Sequence, residues 1–220
     1  MTSKLPLAGI RVLDIGTLIA GPFAATMLGD FGAEIIKVEQ PGPGDALRGT
    51  PENGKAARSG NWLVEGRNKK SITLDLRQAA GQAVLKELIA HAEGPYAKRS
   101  GYDRIALGFS GYMYPTGFPD RFPVRPAFPT ADYNTGTFAA LATMFALYAR
   151  DAAGTGSGQG QLIDLGLYEA PFRITSDMMT QYAKTGAIRE RIGNRNPTFA
   201  PAGTFQTKDG RYVQIAAGGD

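Results

Sequence analysis

The 220-residue sequence contains no cysteine and a single histidine, His91. Without cysteine there can be no disulfide, no thiolate nucleophile and no thiolate metal site. With one histidine, neither a two-histidine metal centre nor a Ser-His arrangement with a spare base can be assembled. No metal site is therefore expected; a tightly bound cofactor is not foreseen either. No apolar run reaches the roughly 18 residues that suggest a membrane-spanning helix. The opening Met1-Thr-Ser-Lys-Leu-Pro6 lacks the apolar core of a secretory signal, so the cytoplasm is the expected location and no membrane partner is foreseen. Charge of one sign is not in great excess: 24 Lys and Arg against 20 Asp and Glu leave a net charge of +4. That suits a small anionic ligand. The aromatic residues are not interleaved with a Lys/Arg block, so nucleic acid is not an expected partner.

What the sequence does have is glycine, 29 residues, about twice the average share, with no collagen-like period. Hydrophobic residues make up 43%, enough for a globular core in one large domain or two small ones. Ile10-Arg-Val-Leu-Asp-Ile15 reads as a short buried strand, Gly16 to Gly21 as a turn, and Pro22 to Phe31 as a helix stopped by Gly32. Ile35 to Glu39 is a second strand, and the compact crossover makes the two strands parallel neighbours. After a Gly/Pro-rich loop, Ser71 to Asp75 reads as a third strand and Gln78 to Ala92 as a helix. Residues 93–129 show little periodicity. A helix is expected over Phe138–Arg150, a strand over Leu162–Leu165, a helix over Tyr168–Lys184 and a hairpin over Gly203–Ala217. Strands alternating with helices indicate an α/β fold.

Several residues could carry chemistry. The turn Gly16-Thr-Leu-Ile-Ala-Gly21 joins a strand to a helix, where backbone amides can meet a phosphate or a carbonyl, although it lacks the GxGxxG spacing of a dinucleotide site. Taken alone, its bland reading is a structural helix start. Arg67-Asn-Lys-Lys70 and Arg77 supply four cations around one strand, either a polyphosphate site or a solvated basic edge. Asp132 is expected just before the apolar helix, as an N-cap or as a carboxylate whose ionised form the helix N-terminus favours. Such a carboxylate can attack a thioester and form a mixed anhydride. Asp45, Asp103, Asp164 and Glu169 are weaker candidates, and His91 reads as a surface or capping residue. The spacing of these residues alone leaves the function open.

The order of the short motifs narrows it. Leu7-Ala-Gly-Ile-Arg-Val-Leu-Asp14, Ala20-Gly-Pro22 and Leu28-Gly-Asp-Phe-Gly-Ala-Glu-Ile-Ile-Lys-Val-Glu39 resemble the opening of the class III CoA-transferases, relatives of the enzyme that moves CoA between formate and oxalate. Asn68 to Asp75, Gly101-Tyr-Asp103, Ala131-Asp132, Gly158-Gln-Gly160 with Ile163-Asp164, and Gly193-Asn-Arg195 with Ala200-Pro201 follow in the family's order, so the likeness spans nearly the whole chain.

The resemblance implies a Rossmann-like large domain over 1–202, the start of a smaller domain over 203–220, and a homodimer whose subunits interlock like links of a chain. It implies acyl-CoA:carboxylate CoA-transfer, with acyl-CoA and a small carboxylic acid as substrates. The nucleophilic aspartate falls on Asp132. The family's CoA contacts fall on Leu18, Ile19 and Ala20, on Gln40, and on Leu74 and Arg77; Gln40 stands where some relatives have a basic residue. The related α-methylacyl-CoA racemases pair the same aspartate with a histidine, whose position is taken here by Tyr102. A neutral phenol with a pKa of about 10 is a poor base partner, which favours transfer. Relatives carry several dozen further residues after the helix that ends at Ala92, including a CoA-contact loop, and they continue beyond the position of Asp220. The remaining expectation is thus a shortened, CoA-binding but inactive chain. The acids themselves are not legible.

Overall fold

A computed structural model of the protein describes residues 5–49, 59–79, 81–82, 101–195 and 200–217. It divides into two compact units: Met1–Gly101 with Asp132–Leu167, and Tyr102–Ala131 with Tyr168–Asp220.

The first unit is built on a parallel sheet of β1 (Arg11–Asp14), β2 (Glu34–Glu39) and β3 (Lys69–Thr73), hydrogen-bonded in that order. Helix α1 (Ala20–Asp30) makes the crossover from β1 to β2, as the sequence predicts. It stops where Gly32 adopts φ +101°, and a Cβ at Gly32 would lie 2.5 Å from Leu5 Cβ, so both backbone and space demand glycine. Leu7, Ala25, Leu28, Ala33 and Ile35 form a buried cluster, with Ile10, Val12 and Leu147 packed against it. A 3₁₀ turn (Ala46–Gly49) and helix α2 (Gly60–Glu65) follow β2; α2 is capped by Ser59, whose Oγ accepts the Trp62 N–H at 3.4 Å. β3 lies two residues earlier than expected, and Leu74 N–H still donates to the Glu39 carbonyl at 2.9 Å. Ala79, Gly81 and Gln82 are helical; the rest of the helix expected to Ala92, with His91 and the join after Ala92, lies outside the described residues.

The second unit contains α3 (Asp103–Phe109), in a stretch expected to be irregular. Helix α4 (Thr130–Asp151) starts in this unit and continues into the first, and it begins eight residues before the expected Phe138. The second unit also holds α5 (Glu169–Arg173), α6 (Met178–Thr185) and an antiparallel hairpin of β4 (Ala202–Gln206) and β5 (Tyr212–Ala216). The hairpin matches expectation. The single helix expected over Tyr168–Lys184 is instead two, parted where Ser176 adopts φ +60°. Leu162–Leu165 is not a strand: the segment pairs with no neighbour among the described residues, and Leu162 is 60% exposed. No helix among the described residues is long and apolar enough to cross a membrane.

Candidate active site

The residues expected to contact CoA follow the carboxyl ends of the three parallel strands, where open parallel sheets place their ligand sites. After Asp14 the chain makes the turn to α1. Leu18 sits there at φ +66°, Ile19 precedes the helix without a side-chain cap, and Ala20 is its first residue. The turn is closed tightly: a Cβ on Gly16 would stand 2.9 Å from Pro22 Cδ and 3.1 Å from Gly21 Cα. Gln40, exposed, directly follows β2, and its carbonyl accepts the Gly44 N–H at 3.1 Å. Leu74 and Arg77 follow β3. Arg77 is exposed and clasps Asp75 through Nε at 2.8 Å and Nη2 at 3.0 Å.

Beneath the turn lies a group of charges that the sequence reading missed. Alternation along Ile35-Ile-Lys-Val-Glu39 puts Lys37 and Glu39 on the same face as buried Ile35. The Lys37 ammonium, 1% exposed, lies 3.0 Å from Asp45 and 3.5 Å from Asp14, and it donates to the Gly16 carbonyl. Lys69 donates to Asp14 Oδ2 at 2.8 Å and to the Pro22 carbonyl at 2.6 Å, while Asp14 Oδ1 accepts the Gly16 N–H at 3.1 Å. Burial pushes the Lys69 ammonium below its usual range, with Asp14 opposing and Lys37 adding to the shift. Glu39 takes a bidentate bond from Arg48 at 2.6 and 2.7 Å, and it also accepts from Ser71 Oγ and the Asp45 N–H. Arg48, aided by those two donors and opposed by burial, holds the Glu39 carboxyl down at about 2. The cations that read as a polyphosphate site or a solvated edge are each paired: Arg67 with Asp30, Lys69 with Asp14, Lys70 with Glu34, Arg77 with Asp75. Asp45 is likewise paired, with Lys37.

Asp132 is half-buried and belongs to the first turn of α4, not to a turn ahead of the helix. Thr135 and Gly136, three and four residues on, share its side of the helix. They line a cavity of about 350 Å³ together with Ala139 and Thr143 of α4, Ala20 and Gly21 of α1, and Ile163–Leu165. Asp164 is exposed at this cavity. The two helices meet closely: a Cβ on Gly136 would stand 2.7 Å from the Ala20 carbonyl oxygen and 2.8 Å from Phe23 Cδ1. The geometry thus brings Ala20, from the expected CoA-binding turn, to the helix that carries Asp132. Asp132 itself, one turn before Thr135, and Leu18 and Ile19 are not among the residues that line this cavity; nor are Gln40, Leu74 and Arg77, which lie at the ends of β2 and β3.

In the second unit, Tyr102 is exposed at the N-cap of α3. Asp103 is buried; its Oδ1 accepts the Ala131 N–H at 2.8 Å, and Oδ2 has no partner among the described residues. Asp103 is therefore a helix-capping residue for α4. Glu169 opens α5. Among the described residues no group of three or more His, Cys, Asp or Glu side chains is disposed to hold a metal ion.

Comparison with known proteins places this geometry. The family model of CoA-transferase family III matches residues 7–93 and 91–220. The chain is 40% identical over 264 residues to the succinyl-CoA–L-malate CoA-transferase beta subunit of Chloroflexus aurantiacus, covering all of this chain and 63% of that protein. It is 37% identical to the succinyl-CoA–D-citramalate CoA-transferase of the same organism, covering 98% of this chain and 62% of that one. The crystal structure of a CAIB/BAIF family protein from Brucella suis superposes with a TM-score of 0.81 at 30% identity, over 98% of this chain and 67% of that chain. The chain thus spans about three-fifths of the length of these two curated relatives.

Proposed function

This chain belongs to CoA-transferase family III, and from that premise we propose that it carries the nucleophile of an acyl-CoA:carboxylate CoA-transferase, Asp132. The observation that carries the reading is the cavity shared by the helix of Asp132 and the turn that ends in Ala20 and Gly21. In the proposed reaction, an Asp132 oxygen attacks the donor thioester carbonyl, the C–S bond breaks, and an aspartyl anhydride and CoA thiolate form. The thiolate attacks the Asp132 carbonyl, giving an aspartyl-CoA thioester and releasing the donor acid. The acceptor carboxylate then attacks that thioester, forming a second anhydride and thiolate. Attack of the thiolate on the acceptor's acyl carbon releases the new acyl-CoA and regenerates Asp132.

The chain's own residues have defined parts in this scheme. Leu18, Ile19 and Ala20 are assigned to CoA at the turn, Gln40, Leu74 and Arg77 to its further contacts along the strand ends. Helix α1 starts with no side-chain cap; Pro22 has no N–H and the Phe23 N–H donates to the Ile19 carbonyl at 2.7 Å, so the amides assigned to a developing oxyanion are those of Ala20 and Gly21. The names of both curated relatives point to succinyl-CoA as the donor to test first.

The Rossmann-like domain over 1–202, the small domain beginning at 203, the interlocked homodimer and the cytoplasmic location belong to the same proposal. So does the lack of a segment after Ala92. Its support is the two-part family match that joins at 91–93 and an alignment of 264 residues against a chain of 220. The complete transfer is assigned to the whole protein.

The test is chemical. Incubation of the chain with succinyl-CoA, then hydroxylamine, should leave a hydroxamate on Asp132 detectable by peptide mass, and Asp132→Ala should leave none. An adduct on another residue, or the same yield in Asp132→Ala, removes Asp132 from the reaction.

A further inference from the structure

One buried acid of the first unit has no part in the transfer scheme. Glu65, the last residue of α2, is 1% exposed. Its Oε1 accepts the Tyr133 hydroxyl at 3.2 Å, and its Oε2 is buried with no partner among the described residues. A leucine or methionine would remove the unpaired Oε2, but it would also take away the acceptor of the Tyr133 hydroxyl. Tyr133 directly follows Asp132 in α4, and its ring meets Phe23 of α1 edge-on, with centroids 4.9 Å apart. The Thr26 hydroxyl of α1 bridges the carbonyls of Pro22 and Glu65, at 2.8 Å each. Three elements therefore meet at this acid: the end of α2, the middle of α1 and the first turn of α4.

We propose that Glu65, acting through the Tyr133 phenol, is a positioning residue for Asp132, fixing the first turn of α4 against α1 and the turn before it. The proposal rests on the reading of Asp132 as the nucleophile. Burial raises the Glu65 carboxyl above its usual range; the Tyr133 hydroxyl and the charges of Lys69 on β3 and Arg67 on the α2–β3 turn oppose this, and Asp30 on α1 adds to it. The phenol is raised by burial first, then by the charge and hydrogen bond of Glu65, then by the charge of Asp132 on α4. It thus stands within the field of both carboxyls. Ionisation of Glu65 adds negative charge beside the phenol that follows the nucleophile in α4, so the two carboxyls are coupled through Tyr133.

The test uses the purified chain, ¹³C-labelled at aspartate carboxyls, as wild type, Glu65→Gln, Glu65→Leu and Tyr133→Phe, with Asp132→Asn to assign the signal. Two readouts are taken: the Asp132 titration curve, and the rate of hydroxylamine-trapped adduct from succinyl-CoA. The wild-type Asp132 signal is expected to show a second, smaller inflection as Glu65 ionises, absent in Glu65→Gln and displaced in Tyr133→Phe. The adduct rate should stay within about twofold in Glu65→Gln and fall about tenfold in Glu65→Leu and Tyr133→Phe, a displacement of well under 1 Å at the reacting atoms. Tyr133→Phe removes one oxygen only, so it decides the matter if Glu65→Leu does not fold. Identical Asp132 titrations in wild type, Glu65→Gln and Tyr133→Phe overturn the proposal. An inflection without any adduct on Asp132 supports the coupling and refutes the nucleophile; an adduct without the inflection does the reverse.

Discussion

Replacing Lys37 by methionine should cost about 3–5 kcal/mol of folding stability, the usual loss when one partner of a buried ion pair is removed. The ammonium is 1% exposed and lies 3.0 Å from Asp45 and 3.5 Å from Asp14. At 3.0 Å and an effective dielectric of about 20, the attraction to Asp45 alone is roughly 5 kcal/mol, the same order as the expected loss. Without Lys37, Asp14 keeps Lys69 at 2.8 Å and the Gly16 amide at 3.1 Å, whereas Asp45 Oδ1 keeps the Leu47 amide at 2.9 Å and the longer-range charge of Arg48, whose guanidinium is already clasped by Glu39. The uncompensated charge therefore falls on Asp45. Since domains of this kind hold about 5–15 kcal/mol in all, the variant should lose roughly a fifth or more of its stability. Urea denaturation followed by circular dichroism would show the midpoint falling by about 2 M with an unchanged slope. Lys70→Met is the control, because the Lys70 ammonium is 73% exposed and its pair with Glu34 is on the surface, where such pairs contribute little. Adding Asp45→Asn to Lys37→Met should recover much of the loss. A Lys37→Met midpoint no lower than that of Lys70→Met would refute the buried-pair account.

Two further outcomes are expected. The Glu39 carboxyl is held at about 2 against an ordinary 4.5, so its contribution to stability is present above about pH 4.5 and is lost as pH falls toward 2; Arg48→Ala should lower the neutral urea midpoint and flatten that acid slope, and parallel slopes would count against Arg48 as the main cause. Arg77→Ala should weaken CoA binding several-fold by calorimetry, while Asp75→Asn, which opens the 2.8 and 3.0 Å clasp, should strengthen it; equal affinities in all three chains would leave Arg77 as the partner of Asp75 alone.

The first β-α-β unit was legible because each local signal agreed: an apolar run, a Gly-Pro helix start, Gly32 as a stop, a second apolar run. The start of α4 was not, because its first two turns, Thr130 to Thr137, are mostly polar, and helix periodicity shows only once apolar residues recur. Pro129-Thr130 followed by an acid in the first turn is itself a helix-start signal, and weighing it would have placed Asp132 inside the helix. The break at Ser176 lies in Ile174-Thr-Ser-Asp177, residues that favour caps and turns over helix interiors, but the flanking apolar positions hid it. Leu162–Leu165 has strand composition, yet a strand exists only with a neighbour, and pairing is not written in four residues. The collinear motifs pointed to the family and to Asp132. The charge cluster was overlooked because lysines are presumed to face water, although a period of two along β2 carries Lys37 and Glu39 to the buried side.

That cluster also constrains how this sequence can change over time. Asp14, Lys37, Asp45 and Lys69 form a closed set of opposite charges under one turn. A substitution at any one of them leaves the set with one charge in excess, and loss of Lys37 or Asp14 takes from Asp45 or Lys69 its ion-pair partner within the set, about 3–5 kcal/mol worse, before a second substitution can restore the balance. Drift at these four positions is therefore strongly epistatic: the path to an equally stable alternative, such as an apolar quartet, runs through intermediates close to unfolding. The turn above inherits that immobility: Leu18, Ile19 and Ala20 ride on a backbone tied to the cluster through the Gly16 carbonyl and amide.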